Sequence, residues 1–230
     1  MTQRLTQMPK PDAGQYKSKR KLLFVPTFYT APNPPEELAQ LLRTYWSEVR
    51  EQISNLERSL GQVKHIYHES VFSDDDTGMQ IVSTINPHGS SFIETLCRST
   101  ARLEAVEDRN ALEEGTDWQR CIASGLVSEK VRKLVFEGYD EALKKRYEHI
   151  SKTIDETLIE SEVGALFIVE HHQVTFPKDV QVFYVAPRSL DAVRRWIETQ
   201  IRTSMEQAQA VEKPPIEEAP AAAEQEETTE

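Results

Sequence analysis

Apolar residues recur along this chain in two rhythms, and the places where one gives way to the other mark the elements. KLLFVPTFY, residues 21–29, is a short continuous apolar run of the kind a buried strand shows. TAPNPP follows, with Pro34 and Pro35 placed to open a helix. Leu38, Leu41, Leu42, Tyr45, Trp46, Val49, Ile53, Leu56 and Leu60 then return at three- and four-residue steps. That spacing predicts an amphipathic helix of about seven turns, ended by Gly61. VKHIYHESV, residues 63–71, reads as a second strand, with His65 and His68 facing opposite sides of the sheet. The opening unit is therefore β-α-β, the shape a parallel pair requires.

SDDDTG reads as a turn, and the mixed pattern after Met79 predicts two helical pieces broken by NPHG. ARLEAVEDRN holds a short strand at residues 103–107, whereas residues 113–125 show no clear period. From Ser128, an N-cap residue, Val131, Val135, Tyr139, Leu143, Tyr147, Ile150, Ile154 and Leu158 repeat close to the helical period. GALFIVEHHQVTFPKDVQVFYVAP then supplies two apolar runs, residues 165–169 and 180–185, and a last helix is predicted from Ser189 to about Gln207. The whole predicts an α/β fold: a mostly parallel sheet of four to five strands flanked by long helices. The link at residues 171–180 is short for a crossover, so an antiparallel last strand is one expectation.

Charge divides the chain further. Residues 1–20 carry Arg4, Lys10, Lys17, Lys19 and Arg20 against Asp12, and they are polar enough to predict a disordered basic arm. Residues 209–230 form an acidic tail rich in Glu, Ala and Pro, which predicts disorder as well. The body between them, residues 21–208, is expected to be a single domain. It stays acidic within a net charge of −11, which argues against nucleic acid as the main ligand. No apolar run approaches the roughly 18–20 residues of a membrane-spanning helix, so a cytoplasmic protein with no membrane partner is expected. Cys97 and Cys121 have no CxxC spacing and read as structural thiols.

In open α/β sheets, ligands collect beyond the C-terminal ends of the strands. Thr27 and Tyr29 end the first strand, Glu69 the second, and Glu107, Asp108 and Arg109 the short third; His171 and His172 follow the fourth. Arg146 lies on the long preceding helix. An imidazole there acts as base or metal ligand, a carboxylate orients it, and a guanidinium holds an anionic group. HExxH, paired CxxC, GxSxG, P-loop and GxGxxG motifs are all absent, so the sequence specifies no cofactor and no metal. Its partner, a small molecule or a protein, is equally unspecified.

RYEHISKTIDETLIESEVGALFIVEHHQVTFPKDVQVFYV resembles the C-terminal part of TraB/ChaN-like proteins, the TraB, Tiki and erythromycin-esterase grouping. The family's arginine falls on Arg146, its strand on residues 164–169, its histidine on His172, and its LPxD element on residues 176–179. Its acidic positions fall on Glu69 and on the stretch from Glu107 to Arg109. The resemblance implies catalytic roles for His172, Glu69 and Glu107, with Arg109 and Arg146 binding substrate. The family's first strand runs into a GxxH-type histidine, however, where this chain has VPTFY, and Val169 replaces a glycine. Those two departures imply a degenerate, non-catalytic binding or regulatory protein. The alternative is a metal- or His/Glu-dependent hydrolase acting on a substrate with an anionic group.

Overall fold

The computed structural model describes Tyr16 and residues 18–212; the basic arm and the acidic tail lie largely outside the described residues. β1 (Arg20–Pro26), β2 (Val63–His68), β3 (Arg102–Glu104), β4 (Val163–Ile168) and β5 (Val180–Tyr184) form one five-stranded sheet in the order β3-β2-β4-β1-β5. Every neighbouring pair is parallel. The helices are α1 (Glu36–Leu60), α2 (Asp76–Ile85), α3 (Ser90–Ser99), α4 (Arg109–Ala123), α5 (Glu129–Thr157) and α6 (Leu190–Glu212). None of them is long and apolar enough to cross a membrane among the described residues.

The central strand β4, VGALFI, is buried at every position because helices cover both of its faces. Alternate residues divide between two cores. Leu23, Val25, Ala165 and Phe167 pack with Leu42, Tyr45 and Ile53 of α1, Phe92 and Ile93 of α3, and Val193 of α6. Leu22, Phe24, Leu166 and Ile168 pack with Ile150 and Ile154 of α5. Each fully buried Leu, Val, Ile or Phe among them contributes about 1.5–3 kcal/mol. Gly61 ends α1 at φ 108°, a conformation that L side chains rarely adopt.

The connections set the position of the site. α1 carries the chain from β1 to β2, and α2 with α3 carries it from β2 to β3, all on the first face. The return from β3 to β4 runs through α4 and α5 on the other face and inserts β4 between β2 and β1. Chain leaving the C-terminal ends of the adjacent strands β2 and β3 therefore departs to opposite faces. That opening is a topological switch point.

The last strand is parallel, not antiparallel: β5 pairs with β1 from Arg20↔Val180 to Phe24↔Tyr184. The link after β4 contains no helix, and none is needed. An extended segment of about eleven residues reaches roughly 36 Å, well beyond the length of a six-residue strand.

Candidate functional site at the ends of β2 and β3

Strand alternation places the first site residue. Tyr67 faces α5 and His68 faces the opposite core, so Glu69 turns back toward α5. Ser70 then takes a positive φ of 70°, and Glu107 joins the edge of the turn through its backbone N–H to Val71 O at 3.0 Å. On α5, Arg146 lies one turn before Ile150, on the stripe that packs against the sheet. Glu69 and Glu107 are only 1 % and 3 % exposed.

These three residues meet. Arg146 Nε donates to both oxygens of Glu107 at 2.8 Å, and Nη2 donates to Glu107 Oε1 as well. Nη2 also lies 3.5 Å from Glu69 Oε2. Glu107 takes a further bond from Ser70 N at 2.9 Å. Glu69 Oε1 accepts from Thr27 Oγ1 at 2.8 Å and from Val169 N at 2.7 Å. Residues from the ends of four strands and from one helix thus share one cluster.

Burial sets its electrostatics. It raises the Glu69 carboxyl above its usual value, while Thr27, Arg146, Tyr29 and Val169 pull the other way. Burial also opposes the charge of Arg146, but Glu107 and Glu69 outweigh it and hold the guanidinium protonated well above its ordinary range. Nearly half of Tyr29 is exposed, yet burial, and after it Glu69, pushes its proton loss far upward.

Over the cluster opens a cavity of about 330 Å³. Glu69, Arg146 and Tyr29 form its floor; Gly115, Thr116 and Gln119 of α4 and Tyr139, Ala142 and Tyr147 of α5 form its walls. Glu107 is not among the lining residues and anchors Arg146 from behind. The sequence showed no reason to select Thr116 or Gln119, because α4 lay in the stretch without a period. Tyr139 was visible only as a member of the α5 stripe.

The other predicted site residues lie elsewhere. His172 packs edge-on against Phe24 at 4.8 Å and Phe176 at 5.8 Å, and its Nδ1 accepts from Val174 N at 3.1 Å. It is half-buried, which lowers its pKa, and no hydrogen bond or ion pair joins it to Glu69, Glu107 or Arg146. Arg109 is exposed on the first turn of α4, paired with Glu113 at 2.8 Å and stacked over Phe72. Asp179, from the stretch matched to LPxD, grips Arg20 at 2.6 Å and so fastens β5 to β1. Among the described residues no group of three or more His, Cys, Asp or Glu could hold a metal ion.

No family model, no curated protein and no solved structure matches this chain, so the geometry of the site alone carries its functional assignment.

Proposed function

We propose that this chain is a non-catalytic binding protein that holds a small molecule in the crevice above Glu69 and Arg146, on a degenerate TraB/ChaN-like scaffold. One observation carries the reading: Arg146 and Glu107 satisfy each other behind the crevice, and the imidazole that hydrolysis would call on stands apart on Phe24. The position supports it too, since switch points between parallel strands are where such folds take ligands. A cytoplasmic setting suits the free thiols of Cys97 and Cys121.

Purified protein screened against a metabolite library by thermal shift tests the reading. Thr116→Trp, which fills the crevice, serves as the control. A ligand that stabilises the wild type and not the variant is the expected result. Ligands that stabilise both equally, or none at all, overturn it.

The hydrolase reading keeps one specific support. Glu69 is buried, faces the crevice and holds its proton above the usual carboxylate range, as a general acid does. Ester or peptide turnover that disappears in Glu69→Gln, with the fold intact by circular dichroism, would restore catalysis to this protein.

A further inference from the structure

The three donor nitrogens of Arg146 are not equally occupied. Nε and Nη2 are taken by Glu107 and Glu69, whereas Nη1 has no hydrogen-bond partner among the described residues. No buried side-chain nitrogen or oxygen among them lacks a partner, so Nη1 is not sealed inside the protein. Arg146 lines the cavity, and Nη1 is the one donor nitrogen of its guanidinium left without a partner among the described residues.

An acceptor sits beside that donor. Glu69 lines the same cavity, and its Oε2 lies 3.5 Å from Nη2 of the same planar guanidinium. A carboxylate offers about four acceptor positions, and Thr27 Oγ1, Val169 N and Arg146 Nη2 occupy three of them here. The crevice floor therefore presents a donor next to an acceptor with room left.

Charge narrows the choice. Two carboxylates face one guanidinium, so the floor has no positive excess with which to hold an anion. A carboxylate ligand would bring a third negative group into a buried site, and an ammonium ligand would have to lie against the guanidinium of Arg146. A neutral amide has neither conflict: its carbonyl accepts from Nη1 and its N–H donates to Glu69. Tyr29, Tyr139 and Tyr147 add flat ring surfaces around the same space, which is near the lower end of the roughly 300–1,000 Å³ range of small-molecule pockets.

Resting on the crevice reading above, we propose that the ligand is a small neutral molecule with a primary or secondary carboxamide on a planar ring, held through Arg146 Nη1 and Glu69. Four compounds sharing one ring test this against the full chain by ligand-observed NMR: benzamide, N,N-dimethylbenzamide, benzoate and benzylamine. Benzamide is expected to bind at least about 10-fold tighter than the other three, each of which lacks the donor, the acceptor or neutrality. Equal binding of the dimethyl compound removes Glu69 as the acceptor and overturns the assignment. Preference for benzoate or benzylamine overturns it as well, but leaves the crevice reading standing if Thr116→Trp abolishes that binding. Binding of benzamide that survives Thr116→Trp defeats both readings. Should none of the four bind, the amide class is wrong, and the library screen decides the crevice independently.

Discussion

Arg146 grips Glu107 through two nitrogens at once, and that contact ties α5 to the loop beyond β3. Removing one partner from such a pair leaves an uncompensated charge in a dry place, which costs about 3–5 kcal/mol. Arg146→Met is therefore expected to lower unfolding stability by that order, since both Glu69 and Glu107 lose their counter-charge. Glu107→Gln should cost less, because Glu69 then takes over as the partner of Arg146. The double variant should lose clearly less than the sum of the singles. Urea unfolding of the four proteins gives the cycle, and strict additivity would show that the contact carries no coupling.

His68 sits on the same strand as Glu69's approach but faces the other core, fully buried and stacked on Phe167. Its Nδ1–H donates to Glu69 O at 2.8 Å, and its Nε2 accepts from the Asn86 amide at 3.2 Å, so the ring is held neutral. Burial lowers its pKa from 6.5 to about 4. The unfolded chain then binds a proton that the folded chain refuses, and stability falls as pH drops from about 6.5 toward 4. The loss is on the order of 3 kcal/mol. His68→Gln should flatten this acid limb, whatever it costs at neutral pH. A wild type and variant with parallel stability curves between pH 7 and pH 4.5 would contradict the assignment.

His65, three residues earlier, works in the opposite direction. Glu104 bonds its Nδ1 and Glu162 its Nε2, each at 2.8 Å, joining β2 to β3 and to the entry of β4. Glu104 first, and then Glu162, raise its pKa against the opposing effect of burial. Its stabilisation is thus complete below the unfolded value of 6.5 and disappears as pH climbs through the raised folded value. Together the two histidines place a stability maximum near the unperturbed histidine range. His65→Gln should shift that maximum upward in pH by removing the alkaline decline, as read from unfolding midpoints across pH 5–9.

Elements with a complete pattern of burial were legible in the sequence. β4 is apolar throughout because it is covered on both faces, and α1 carries a full stripe because it lies across the sheet. α4 was not legible because it packs chiefly along α5 and buries only Ala111, so it needs no apolar period. The direction of β5 was hidden for a different reason: pattern reports burial, and only the reach of the link decides which way the strand runs. In the site, Glu69, Glu107 and Arg146 could be placed from strand ends and from one helical turn before Ile150. The surroundings of His172 could not, because they depend on how the chain folds over Phe24 after leaving the sheet. Arg109 follows Asp108, whose side chain accepts from Ala111 N at 2.8 Å as the cap of α4, and this turns Arg109 to the surface.

The crevice wall depends on a glycine that the helix would otherwise disfavour. A Cβ added at Gly138 of α5 would lie 2.6 Å from Trp118 Cε2 of α4, and the indole is a rigid ring that cannot yield by bending. Gly138→Ala is thus expected to force Trp118 aside and to part α4 from α5, against the ~1 kcal/mol that alanine adds to helix propensity. Because the sheet does not rest on α4, its protection from hydrogen exchange should persist while the amides of α4 exchange faster and crevice binding is lost. Gly115 supplies the control on the facing helix. A Cβ there meets only the Ala142 Cβ at 3.9 Å, an ordinary contact, so Gly115→Ala should leave α4 as protected as before or more so. If both substitutions loosen α4 alike, close approach at Trp118 is not what holds the hairpin together.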